Sequence, residues 1–289
     1  MYVKKFVLSS LLATLLAGAS SVVLARDLVM GLIPAEDNEE MVKTFEPMRA
    51  YLEDKLGQKV KVFTATDYAG VIEGMKKKRV DIAWFGPLSY YLAEMEAGAE
   101  PFAVGIREGT SSPSYKGIFV ASCGNGIRSI DDLKGKNVAF VDPASTSGGL
   151  VPSYMVKKAT GRMPQDFFGK FIYAGSHDAS MLAVKNKTVD AGASNDVTYQ
   201  KMLDKGLIST ETNCVIAESD PIPGSPLVYR GDLPSELKLK IQGAILNAHN
   251  EIEVTGYGKL SHYVAASPED YQIVRDMVTE LGLKKEQLK

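Results

Sequence analysis

The polar chemistry of this chain is concentrated in Asp142-Pro143-Ala144-Ser145-Thr146-Ser147-Gly148-Gly149. The motif follows an apolar run over residues 137–141 that reads as a strand, and it precedes a helix-like stretch over 150–160. Consecutive hydroxyls at a strand-to-helix junction put donors where unpaired helix N–H groups and the positive end of the dipole already favour an anion. Gly148 and Gly149 carry no Cβ, so they would let an oxyanion approach the backbone. No cationic side chain lies within the motif, which suits holding an anion more than transferring one. The plainer alternative is a Ser N-cap followed by a flexible loop.

Other polar groups stand in equivalent places. Asp67-Tyr68-Ala69-Gly70 follows an expected strand at 60–64, and Trp84-Phe85-Gly86-Pro87 ends one at 80–84. Gly175-Ser176-His177-Asp178 follows 171–174, and Ser194-Asn195-Asp196 follows 189–193. Ligands of open α/β sheets gather beyond the carboxyl ends of strands. Each group also has a structural alternative. Tyr68 could begin a surface helix, Tyr115 could be a half-buried strand aromatic, and Asp196 could be an N-cap. His177 could be satisfied by a neighbouring carbonyl, while Trp84 and Phe85 could simply pack. The basic run 75–79 reads as a solvated helix end.

Enzyme signatures are thin. His177, His249 and His262 are the only histidines, and none stands at metal-ligand spacing from Cys, Asp or Glu. There is no G-x-S-x-G elbow and no Walker loop. Gly124-Asn125-Gly126 lacks the third glycine of a dinucleotide loop, Ser129 being in its place, and reads as a turn. Neither catalytic residues nor a metal or cofactor is expected. The alternative is an enzyme acting on a phosphorylated small molecule, with His177 and Asp178 or Asp196 as its acid–base pair.

The elements that would position these residues alternate between short apolar runs and amphipathic stretches, which implies an α/β fold with largely parallel sheets. The rhythm restarts after Gly126 and ends near Asn213; beyond 221–226 one more strand and mostly helices are expected. Two lobes follow: residues 26–121 plus 216–289, and an inserted lobe, 122–215. Cys123 and Cys214, the only cysteines, fall at the two expected crossovers and read as a disulfide more than a metal pair.

Lys4 and Lys5 precede an apolar run at 6–24, and the small residue Ala25 suits cleavage of a signal peptide spanning 1–25. Of the 33 basic residues, removing Lys4 and Lys5 leaves 31 against 35 acidic ones. That balance argues against nucleic acid or an anionic lipid surface as partner. A bound anion must therefore be held locally.

Taken together, Asp67 to Gly70, Val80 to Ser89, Asp142 to Gly149 and Gly175 to Asp178 resemble the phosphate/phosphite/phosphonate-binding receptors of ABC transporters, in the right order along nearly the whole mature chain. The resemblance implies a type II periplasmic binding protein with two α/β lobes joined by a two-stranded hinge, which captures its ligand by closure and delivers it to inner-membrane permease subunits. It implies that Tyr68 and Tyr115 face the ligand from the first lobe, and Ser145, Thr146, Ser147 and His177 from the inserted one. Ser225 and Val197 stand where aminoalkylphosphonate receptors carry carboxylates. That departure points to phosphite or another small phosphonate, with Asp196 accepting a hydrogen bond from a protonated ligand oxygen.

Overall fold

The computed structural model describes residues 26–288; the signal-peptide reading of 1–25 lies outside them. The chain begins with β1 (Leu28–Leu32), α1 (Asn38–Leu56), β2 (Val60–Thr64), α2 (Tyr68–Lys76), β3 (Ile82–Trp84), α3 (Pro87–Ala97) and β4 (Ala99–Arg107). A short strand, β5 (Ser114–Tyr115), leads to β6 (Gly117–Ser122), β7 (Asn137–Phe140), α4 (Val151–Thr160) and α5 (Pro164–Phe167). Then come β8 (Lys170–Tyr173), α6 (His177–Lys185), β9 (Ala191–Asn195), α7 (Asp196–Asp204) and β10 (Asn213–Glu218). The return runs through β11 (Ile222–Pro223), β12 (Pro226–Arg230), α8 (Ser235–Asn247), β13 (Thr255–Gly256), β14 (Gly258–Ala265) and α9 (Gln272–Glu280).

Local sequence explains these elements. In α1, Met41, Phe45, Met48, Tyr51 and Leu52 recur at helical spacing and are all buried. Asp37 caps that helix by accepting from the N–H groups of Glu39 and Glu40, and Gly57, in the left-handed region at φ 59°, ends it.

Two sheets result. One has the order β13-β14-β4-β12-β3-β1-β2 and the other β10-β6-β9-β7-β8. Between them, β5 and β11 pair antiparallel, with Tyr115 opposite Ile222. The molecule is thus two α/β lobes on a two-stranded hinge. Its sheets are mixed rather than largely parallel. β1 pairs in parallel with β2 and β3, and β7 with β8 and β9, whereas β12, β14, β6 and β10 run antiparallel to their neighbours.

The smaller sheet claims more of the chain than expected. β6 pairs along its length with β9 and β10, so residues 117–121 and 216–218 run within it. The hinge strands therefore lie at 114–115 and 222–223, outside the two cysteines. Cys123 and Cys214 do form a disulfide. It ties the ends of β6 and β10 remote from the hinge, so it staples the second lobe rather than the crossovers. The hairpin β13–β14 is a second departure, because sequence reading expected mostly helices there.

The first lobe has one apolar core around Met30, Leu32, Phe45 and Phe102, and it extends to Val141, Ala144 and Leu150 of the second lobe. The second lobe is cored on both faces of its sheet, by Phe119 and Phe140 on one side and Ile118, Val120 and Met181 on the other.

Candidate functional site

Helix starts converge between the lobes. α2, α3, α6 and α7 begin at Tyr68, Pro87, His177 and Asp196, each just after a strand of the sheet it covers. The hydroxyl motif opens with one wide π turn, Thr146–Leu150, before α4 continues the axis. Such turns recur at functional positions. All of these helices present positive dipole ends to the gap.

Ser145, Thr146 and Ser147 are each about 2% exposed, which excludes a flexible surface loop. Ser145 is nevertheless a true N-cap: its Oγ accepts from Gly148 N at 3.1 Å. Thr146 Oγ1 accepts from Leu88 N at 2.8 Å and so caps α3 across the lobes. Packing alone requires the two glycines. A Cβ on Gly148 would lie 2.3 Å from Val141 Cγ2, and one on Gly149 would lie 2.5 Å from the Asp142 carbonyl oxygen.

Tyr68 is buried at 1% exposure, not on the surface. Burial pushes its phenol well above the usual range, the nearby Asp142 adds to this, and a hydrogen bond with Ser145 opposes it. Tyr115, also buried, belongs to the hinge strand β5. Burial pushes its phenol up to about 12, while the hydroxyls of Ser147, Thr146 and Ser225 pull the other way. Both phenols are therefore neutral donors. Five hydroxyls from both lobes and the hinge thus form one buried cluster.

His177 is buried too, and its Nδ1 shares a hydrogen bond with Ser194 Oγ at 3.2 Å. Its backbone N–H donates to Ala35 O across the lobes at 2.9 Å. Burial pushes the imidazole down to about 3, so the ring is neutral at ordinary pH. Among the described residues, the His177 ring is hydrogen-bonded to Ser194 and not paired with Asp178 or Asp196. Asp178 accepts from Ser176 Oγ, and Asp196 is turned to the hinge. There Asp196 Oδ1 accepts from Lys116 N at 3.0 Å, and Oδ2 lies 3.5 Å from Arg107. Asp196 thus does not join the hydroxyl cluster. Nor does it cap α7; Asn195 does, accepting from Thr198 N at 2.8 Å.

A pocket of about 40 Å³ adjoins Tyr115, with Trp84, Arg107, Val197, Ser225 and Tyr257 among its walls. Trp84 combines packing with lining: its ring lies 5.6 Å from Phe45 and 5.2 Å from Tyr257.

Sequence reasoning missed a second polar network bridging the lobes. Glu36, 5% exposed in the loop after β1, pairs with Lys201 Nζ at 2.5 Å and accepts from Thr198 Oγ1 at 3.4 Å. Thr198 and Asn195 in turn hold the Tyr257 hydroxyl. Two signals were present. Glu36 follows a strand just as the other site groups do, and Tyr257 is an aromatic flanked by two glycines.

A family model described as the periplasmic substrate-binding protein of a phosphonate ABC transporter matches residues 30–271. The phosphonates-binding periplasmic protein of Escherichia coli is 35% identical over 240 residues, 82% of this chain and 70% of that protein. The phosphate-import protein PhnD of Mycolicibacterium smegmatis is 34% identical over 224 residues, 74% of this chain and 70% of that one. Among solved structures, the binding component of a Pseudomonas aeruginosa ABC phosphonate transporter superposes with a TM-score of 0.80 at 28% identity, covering 91% of this chain and 87% of the other.

Proposed function

The chain belongs to the periplasmic substrate-binding proteins of phosphonate ABC transporters, and within that family we propose that it captures phosphite or a small phosphonate and hands it to the permease subunits of an inner-membrane ABC transporter. It is a binding protein and not an enzyme. The observation that carries the ligand reading is the buried cluster of Tyr68, Tyr115, Ser145, Thr146 and Ser147 hydroxyls beside the neutral His177.

A phosphonyl group offers three oxygens to such donors. Hydrogen bonds to a charged group contribute about 1.5–3 kcal/mol net each. Four or five exceed the roughly 8 kcal/mol of micromolar binding, before the cost of ordering the lobes. With Nδ1 of His177 engaged by the Ser194 hydroxyl, Nε2 is the ring nitrogen left for the ligand, and the tautomer with its hydrogen on Nε2 donates from there. The charge of the ligand is met by helix dipoles and neutral donors.

The compact size follows from the adjoining pocket. Its 40 Å³ equals roughly three water-sized positions. Val197 and Ser225 offer no carboxylate to an ammonium group, and Arg107 would repel one. Asp196 enters this reading as the residue that orders the hinge, through Lys116 N and Arg107. The same sheet membership supports lobe limits near 26–113 plus 224–289, and 117–218.

Titration calorimetry with phosphite, methylphosphonate, aminoethylphosphonate, phosphate and sulfate tests the reading. Phosphite and methylphosphonate should bind tightest. Absence of binding by every phosphorus oxyanion at millimolar concentration removes it. Preference for aminoethylphosphonate overturns the compact ligand and leaves the family intact. Preference for phosphate would align the chain with its relative named for phosphate import.

A further inference from the structure

Tyr257 stands at the apex of the β13–β14 hairpin, where Gly256 and Gly258 pair across the turn. Both neighbours have to be glycine. A Cβ on Gly256 would meet Leu260 Cδ1 at 2.7 Å, and Gly258, at φ +86°, would place one 3.2 Å from Val197 Cγ1 of the second lobe. The hairpin is therefore drawn tight against α7, and the phenol enters the gap between the lobes. Its ring centre lies 5.2 Å from Trp84 of its own lobe and 6.4 Å from His177 of the other. Its hydroxyl accepts from Asn195 Nδ2 at 2.7 Å and bonds the Thr198 hydroxyl, both in the second lobe.

We propose that Tyr257 sets the length of substituent on phosphorus that the cleft accepts, by standing as a fixed plug beside the anion-holding hydroxyls. The inference rests on the ligand reading above. Three observations carry it. The ring is a wall of the small pocket that adjoins Tyr115, the side on which a substituent would extend. Its ring centre stands 5.2 Å from Trp84, another wall of that pocket, and 6.4 Å from His177, so its bulk borders both the pocket and the residue proposed to face phosphorus. Finally, the ring cannot swing aside without breaking two half-buried hydrogen bonds across the lobes, a cost that a hydrocarbon chain cannot repay in kind. The plug and the closed arrangement are thus one device.

The test uses the full mature protein and calorimetry with methylphosphonate and propylphosphonate. For the unmodified protein, methylphosphonate should bind at least about 100-fold tighter, since each excess methylene in a full pocket weakens binding by roughly tenfold or more. Tyr257→Ala should shift that ratio by at least about tenfold towards propylphosphonate, and Tyr257→Val, retained in case the alanine variant does not fold, should shift it in the same direction. Tyr257→Phe should weaken both ligands by about fivefold or more while keeping their ratio, because it loses the lobe-bridging bonds but not the bulk. An unchanged ratio in the folded Ala or Val variant overturns the proposal while methylphosphonate binding still upholds the ligand reading. Failure of the unmodified protein to bind either phosphonate overturns the proposal, and the ligand reading falls with it only if phosphite fails to bind as well. A Phe variant with unaltered affinities overturns the claim that the hydroxyl fixes the plug.

Discussion

Thr146 accepts from Leu88 N and also meets the Tyr115 phenol, so in the proposed site its hydroxyl hydrogen is shared between that phenol and the ligand. Ser145→Ala and Thr146→Ala should therefore each weaken binding by about 1–3 kcal/mol in calorimetry, with Thr146→Ser close to the unmodified protein. Loss of folding instead of affinity would reduce both residues to caps. Acid sensitivity has two opposing sources in this region. His177 falls from its ordinary 6.5 to about 3, so between those values the unfolded chain holds a proton that the folded one lacks, and stability falls as pH falls. Asp142 rises from 3.8 to about 6 through burial, so over that window the folded chain holds the extra proton and stability falls as pH rises. Asp142→Asn should therefore steepen the acid-side loss, and His177→Asn should flatten it, in urea midpoints measured from pH 4 to 7. Parallel profiles would refute the assignment. The hydroxyls were legible because residue type and strand-end position coincide. Asp196 matched the same pattern, and its carboxylate meets Lys116 N and Arg107 at the hinge, contacts that its position in the sequence did not reveal.

At the scale of elements, alternation of apolar runs and caps exposed nearly every strand-to-helix junction of the site, since those signals are local. The hinge and the β13–β14 hairpin were not legible. β5 and β11 are two residues each and gain their identity from each other, and β14, lying between β13 and β4, mixes Lys259, Ser261 and His262 with Leu260, Tyr263 and Val264 in a pattern that is not strictly alternating. The disulfide was expected at the crossovers but lies on β6 and β10, because register, not chain order, decides which ends meet. It closes a span of 91 residues inside the second lobe. A cross-link of that length stabilises by about 4–5 kcal/mol, chiefly by restricting the unfolded chain. Reduction should lower the thermal midpoint while leaving ligand affinity within about twofold, since the bond is remote from the hinge. Equal loss of both would place the bond in the binding machinery.

At the scale of the whole molecule, the lobes meet through a shared apolar core and through ion pairs beside it. Lys201 pairs with Glu36 and Lys205 with Glu40 at 2.6 Å, bridging the lobes. Lys201→Met would leave Glu36 buried without its cation, so it should weaken ligand affinity by about 1–3 kcal/mol through faster release, although Lys201 is not among the hydroxyl donors. Stopped-flow dissociation measures this, and an unaltered off-rate would show the pair to be ornamental. Tyr115 sits in the two-residue ribbon joining the bodies, and its phenol reaches the buried hydroxyls. Strap and grip therefore share one side chain. If the proposed ligand is held by this phenol, gripping it and turning the ribbon become a single mechanical act, and replacing Tyr115 would loosen both at once.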